Sequence, residues 1–177
     1  MPVRWLLASL SLVWGACGYA PAYGGARPSK QLAIVAAPSL APESGALAAL
    51  LSGLRDELSR AGALRPGSGY PRAVLELLRV DEHGLGMAVQ PGQPTALPLA
   101  RGATVGVTAR AWIEESSGAR PNRDTGDVRR VATVATGATL ETDAAAHDSA
   151  VEQAGFTTGR AIGRRLLGEV EPTLEPL

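Results

Sequence analysis

The chain has 177 residues, the usual size of a single domain. Seventeen basic and 17 acidic side chains cancel to a formal net charge of +0, and aromatic residues make up only 4% of the sequence. Such a chain lacks both the basic excess and the stacking rings of a nucleic-acid-binding protein. Its single cysteine excludes an internal disulfide framework and a multi-cysteine metal site.

The N-terminal residues have the organisation of an export signal. Arg4 precedes the apolar run 5–14, which is shorter than the about 20 residues that span a bilayer. Two small residues then precede Cys17, an arrangement that resembles a bacterial lipobox. We therefore predict a signal peptide at residues 1–16 and a diacylglycerol on Cys17. The alternative is an ordinary secretory signal with an incidental cysteine.

The residue after the cysteine bears on the destination of the protein. Gly18 stands where an aspartate would resemble an inner-membrane retention signal, so we predict the outer membrane. Removal of Arg4 with the signal peptide leaves a nearly neutral mature chain. We therefore expect acyl chains to anchor it without help from basic attraction to lipid head groups.

The mature chain divides into three parts by composition. Residues 17–30 contain the cysteine and a glycine- and proline-rich stretch without a period, which predicts a flexible tether. Residues 31–168 carry the periodic segments and are predicted to form one folded domain. Residues 169–177 are predicted to be a disordered tail.

The periodic segments predict two helices and about four strands. Leucines at helical spacing mark a helix over 44–61, which Ser44 caps and Gly62 ends. Strands are expected over 31–37, 72–81, 104–114 and 127–137, with a poorly patterned region at 82–103 and a loop at 116–126. The strand 104–114 alternates cleanly, so one face of it is expected to be buried.

A second helix is predicted over 143–167, with Thr142 as its N-cap. Its inner stripe is expected to include His147, Val151 and Ala154. Glycines recur every four residues along it, and we expect them to let this helix lie close to the sheet. Two helices with about four strands predict an α+β fold, a two-layer sandwich with a mostly antiparallel sheet.

No catalytic pattern is present in the sequence. His83 and His147 fall on different elements without metal-ligand spacing, and Cys17 is committed to lipid. Nucleophile-elbow and phosphate-loop motifs are absent from the 177 residues. We expect a protein that is not an enzyme and that has no cofactor and no metal.

Arginines on two strands form the one candidate binding site. Arg110 lies on the strand 104–114, and Arg129 and Arg130 open the strand that follows. If these strands pair, the arginines gather at one end of the sheet, where guanidinium groups suit phosphates. The alternative is a solvated polar face on which nearby acidic residues cancel the charge.

Several short segments resemble the family of LPS-assembly lipoproteins, LptE. These are Ala16-Cys17-Gly18-Tyr19, the run 54–58 (Leu-Arg-Asp-Glu-Leu) in the first helix, the strand start 73–75 and the helix end 162–167. An asparagine-rich element that the family often shows after the first strand is replaced here by residues 39–44.

The resemblance implies a two-helix, four-stranded sandwich held at the inner leaflet of the outer membrane. It implies a plug inside the β-barrel LptD, which places lipopolysaccharide in the outer leaflet, with contact to that anionic glycolipid. On this hypothesis Arg110, Arg129 and Arg130 bind the glycolipid. The alternative is an envelope lipoprotein that scaffolds or activates another periplasmic assembly, such as a peptidoglycan synthase.

Overall fold

The computed structural model describes residues 30–39, 44–84, 87–88, 99–100, 102–134 and 140–169. The elements in chain order are β1 (Ala33–Ala36), α1 (Ser44–Arg60), β2 (Arg72–Gly84), β3 (Met87–Ala88), β4 (Leu99–Ala100), β5 (Ala103–Glu114), β6 (Asn122–Asp124), β7 (Val128–Val134) and α2 (Leu140–Leu167). The predicted signal peptide, Cys17, the tether through residue 29 and the tail from residue 170 lie outside the described residues.

The main sheet has five strands in mixed orientation. β1 runs parallel to β2, β2 runs antiparallel to β5, and the far edge of β5 is shared between β6 and β7. The parallel pair is possible because α1 carries the chain back between β1 and β2. β3 and β4 form a separate antiparallel pair between β2 and β5 in the chain. The predicted α+β fold of two helices on a mostly antiparallel sheet is confirmed.

The main differences from the sequence prediction lie at the end of β2, in the loop 116–126 and at the start of α2. β2 continues to Gly84, and the predicted loop 116–126 contains the short strand β6. The helix α2 begins at Leu140, so Thr142 lies inside its first turn and the N-cap prediction was wrong. β6 is made of exposed polar residues, and such a strand has no hydrophobic alternation to reveal it.

The two helices run parallel and touch backbone to backbone. Added Cβ atoms would meet the carbonyl of Leu50 at Gly159 and the carbonyl of Phe156 at Gly53. At Gly155 a Cβ would lie 3.0 Å from the carbonyl oxygen of Ala46. The prediction that the glycines of α2 let it lie close to the sheet was wrong, because Gly155 and Gly159 lie on the side of α2 that packs against α1.

A neighbouring stripe of α2 faces the sheet. Ala154, Ala161 and Ile162 are fully buried, and the hydroxyl of Thr158 donates to the carbonyl oxygen of Val107 at 3.3 Å. The predicted stripe is buried except at His147, which is half-buried near the helix start. The odd-numbered residues of β5 lie against this stripe of α2, and the leucines of α1 complete the core. The periodicities of β5 and α1 therefore predicted the buried faces correctly.

The C-terminus of α2 is held by β6. Arg123 adopts a left-handed backbone conformation with φ 53°, and its guanidinium donates to the carbonyl oxygen of Leu166 at 2.7 Å. Arg165 donates in return to the carbonyl oxygen of Thr125 at 3.1 Å. The bond from Arg123 satisfies one of the carbonyl groups that a helix end leaves without partners, and the bond from Arg165 ties the helix end to the chain after β6. Gly168 ends the helix with φ 87°.

Candidate functional site

The sheet face opposite the helices, here called the outer face, carries most of the sheet's ion pairs. On β5 it consists of the even-numbered residues from Thr104 to Glu114, since the odd-numbered ones are buried against the helices. The β2 register shifts between Leu77 and Arg79. Because this irregularity exchanges the two sides of the strand, both Glu76 and Asp81 lie on the outer face.

Arg129 reaches across one whole strand of this face. It lies on β7 opposite Thr108 of β5, yet its guanidinium donates to Asp81 on β2 at 2.6 Å. The side chain passes over Gly106, and a Cβ there would collide with the guanidinium. Because Gly106 has no side chain, it leaves room for Arg129 of β7 to reach Asp81 of β2 across β5.

Asp81 is the centre of a charged cluster. Beside Arg129, the Nδ1 atom of His83 lies 3.2 Å from its carboxylate, and the Nε atom of Arg79 lies 3.7 Å away. The hydrogen bond from Arg129 is the main reason that the pKa of Asp81 lies below its ordinary value. With two arginines to one carboxylate, the cluster has a net positive charge.

A shallow groove of about 600 Å³ lies over this cluster. Its lining includes Arg79, His83, Arg129 and the exposed Val131. Close by, the hydroxyl oxygen of Thr108 is buried and has no hydrogen-bond partner within the described part of the chain. The guanidinium groups that line the groove match the hydrogen-bonding needs of phosphate oxygens, whereas the hydroxyl of Thr108 is not part of the lining.

Arg110 occupies the other half of the outer face. Its Nε atom donates to Glu76 on β2 at 2.8 Å, and its guanidinium lies 5.7 Å from the ring centre of Trp112. The bond to Glu76 is the main cause that raises the pKa of Arg110. Because a carboxylate already holds this guanidinium, a phosphate at Arg110 must compete with Glu76.

The end of this face is also paired. Arg72 forms an ion pair of 2.8 Å with Glu114, and its guanidinium lies 4.5 Å from the ring centre of Tyr70. Hydrogen bonds to Glu114, first from the indole of Trp112 and then from Arg72, hold the pKa of that carboxyl below its ordinary value. The alternation of basic and acidic groups across paired strands stabilises the sheet register.

The structure brings together two of the three predicted arginines. Arg110 and Arg129 lie on the outer face of adjoining strands, each on its own carboxylate partner. Arg130 lies opposite Val107, on the side of the sheet that the helices cover. Neighbouring residues of a strand point to opposite faces, so Arg129 and Arg130 lie on different sides. Cys17 lies outside the described residues.

The sequence did not indicate the acidic partners or Arg79. Their place on the outer face depends on the irregularity after Leu77, which leaves no mark in the hydrophobic pattern.

The two histidines lie near single carboxylates. The Nδ1 atom of His83 is 3.2 Å from the carboxylate of Asp81, and that of His147 is 3.6 Å from the carboxylate of Glu82. Across the described residues, histidine, cysteine and acidic side chains form no group of three that suits a metal ion. None of the described helices has the length and apolar character needed to cross a bilayer.

Comparison with known proteins finds fold likenesses at low identity. Neither a family model nor a curated protein matches the chain. A minor lipoprotein from Acinetobacter baumannii shares 13% identity at a TM-score of 0.47, with 78% of this chain and 93% of that one covered. A putative lipoprotein from Caulobacter crescentus shares 16% identity at a TM-score of 0.48, with 76% of this chain and 86% of that one covered. Rare lipoprotein B from Shewanella oneidensis shares 14% identity at a TM-score of 0.43, with 78% of this chain and 92% of that one covered. The solved structures that the chain resembles here are therefore lipoproteins of bacteria by name, and at these identities none of them transfers a function to it.

Proposed function

We propose that the chain is a lipid-anchored outer-membrane protein that acts as plug and assembly partner of an LptD-like barrel. It helps to place lipopolysaccharide in the outer leaflet and performs no covalent chemistry. The observation that carries this proposal is the combination of Gly15-Ala16-Cys17 with a β-α-β unit, an antiparallel extension and a closing helix. That order of elements agrees with what the sequence resemblance to LptE implies.

The outer face supplies the contact to glycolipid phosphates in this proposal. The guanidinium groups of Arg79 and Arg129 line the groove. Arg110 adds another guanidinium on the same face, whereas Arg130 lies on the helix-covered side of the sheet. Since Asp81 and Glu76 already neutralise two of these charges, binding is modest and weakens with salt.

Affinity purification of the tagged full chain from its own membranes tests the partnership. We expect a large outer-membrane β-barrel to co-purify in detergent, and depletion of the chain to lower surface lipopolysaccharide. A Cys17→Ser chain is the control for anchoring and should leave the membrane fraction. Normal surface lipopolysaccharide after depletion, with no barrel recovered, would overturn the plug role in favour of the scaffold alternative.

Binding of lipopolysaccharide to the purified chain tests the face itself. We expect Arg110→Gln together with Arg129→Gln to weaken binding, and added salt to weaken it further. Arg55→Gln is the matched control, since Arg55 is exposed on α1, on the other side of the molecule. Equal losses in the double variant and the control would show that the outer face has no special part in binding.

A further inference from the structure

One end of the domain gathers the points where the tether arrives and both helices finish. Lys30, the first described residue, forms an ion pair of 2.9 Å with Glu115 beyond the end of β5. Leu32 accepts a hydrogen bond from the backbone of Arg65, which follows α1, and lines a 370 Å³ groove with Leu166 of α2. We call this the anchor end, because the chain from Cys17 reaches the domain here.

Basic side chains surround the anchor end. Lys30 and Arg123 line its groove, Arg65 is half-exposed, and Arg120 is exposed in the loop between β5 and β6. Arg65 and Arg120 have no side-chain partner among the described residues, whereas Glu115 is already engaged by Lys30. The surplus charge at this end is therefore positive.

The helix ends add to that charge. Arg164 and Arg165 occupy the last turn of α2, while Glu141 and Asp143 occupy its first turn at the opposite end. Arg60 occupies the last turn of α1, where it forms an ion pair of 3.0 Å with Asp56. The placement complements the helix dipoles.

Aromatic side chains occur at the same end. Of the aromatic residues that the structure describes, Tyr70 stacks with Arg72 at the start of β2, and Trp112 lies beside Glu114 at the end of β5. Rings with a polar atom next to basic residues are the composition favoured where proteins meet lipid head groups.

We propose that the anchor end docks on an anionic phospholipid surface and sets the orientation of the domain on its membrane. The tether supports this occupant, because the thirteen residue-to-residue steps from Cys17 to Lys30 reach at most about 45 Å when extended. The orientation of the domain on its membrane rests on the lipid anchor of the proposed function. The affinity of the anchor end for anionic lipid does not depend on that anchor. This docking differs from the expectation that the neutral mature chain is anchored without basic attraction to lipid head groups.

Vesicle co-sedimentation tests the surface without the lipid anchor. The protein is the chain from residue 17 with Cys17→Ser; all described contacts lie within residues 30–169, so this change leaves them in place. We expect binding to phosphatidylcholine vesicles that contain phosphatidylglycerol, and none to pure phosphatidylcholine. About 1 M salt should abolish binding, since the Debye length is then about 3 Å.

Two matched single variants locate the surface. Arg120→Gln should lower the partition coefficient about fivefold, the contribution of one basic residue near an anionic surface. Arg55→Gln removes the same charge from the exposed side of α1 and should change the partition coefficient less than twofold. Circular dichroism confirms that both variants fold.

The outcomes separate this proposal from the proposed function. Equal losses in Arg120→Gln and Arg55→Gln, or a loss only in Arg55→Gln, would overturn docking through the anchor end. An unmodified Cys17 in the native protein, found by mass spectrometry, would overturn the lipid anchor while leaving the vesicle result intact. Loss of barrel co-purification alone would affect only the plug role.

Discussion

The two faces of the sheet are built by different means. The helix-covered face is held by apolar side chains and by helices in backbone contact, where each atom has a fixed neighbour. The outer face is held by ion pairs such as Arg110 with Glu76, whose side chains are partly solvated. Buried packing carries stability because it removes apolar surface from water, while exposed ion pairs contribute little. The outer face can therefore change its partners at small cost to the fold.

Leu54 gives the largest expected effect on the covered face. It is fully buried in α1, so Leu54→Ala should lower the free energy of unfolding by about 2–5 kcal/mol. Urea unfolding of the purified chain measures it. A loss below about 1 kcal/mol would mean that the site collapses around the smaller side chain, against the close packing described for this face.

Gly159 tests the backbone contact between the helices. Gly159→Ala places a methyl group against the carbonyl of Leu50 and should lower stability by about 1–3 kcal/mol despite the better helix propensity of alanine. Gly45 is the matched control on α1, because a Cβ there meets nothing within 4 Å. Gly45→Ala should leave stability unchanged or raise it by up to about 1 kcal/mol. Equal effects of the two substitutions would contradict the close helix contact.

Gly106 tests the path of Arg129 across the outer face. Gly106→Ala should displace the guanidinium from Asp81, because the new methyl group occupies its place. We expect a stability change within about 1 kcal/mol, the range of exposed ion pairs. An NMR titration should show the pKa of Asp81 return toward its ordinary value. Arg129→Gln should reproduce that shift, and an unchanged pKa in both variants would refute the pairing.

The smallest expected effect is a pH dependence. The pKa of Asp81 is lower in the folded protein than its ordinary value of 3.8, so its pair adds stability above that value. This contribution falls away as the pH drops through the lowered pKa. The stability difference between the wild-type chain and Arg129→Gln should therefore close on acidification. A difference that stays constant down to about pH 2 would show that Asp81 is not its source.

The sequence predicted the covered face better than the outer one, and the reason is physical. The leucines of α1 and the alternation of β5 repeat with the period of their element, so burial can be deduced from spacing. Period alone does not say which neighbour a face meets, and so the glycines of α2 were assigned to the sheet instead of α1. The outer face depends on the β2 register shift after Leu77, which no local pattern encodes. Arg110 and Arg129 were correctly placed on adjoining strands, but their partners Glu76 and Asp81 were not foreseen.

The contact between α1 and α2 also constrains the order of folding. Gly53 of α1 meets Phe156 of α2, about a hundred residues further along the chain. The leucine stripe of α1 is thus covered by the last described element of the chain, so two segments far apart in sequence must come together before the stripe is buried. A chain truncated before α2 exposes that stripe and has no finished core. The domain can complete its fold only once α2 is available to pack against α1.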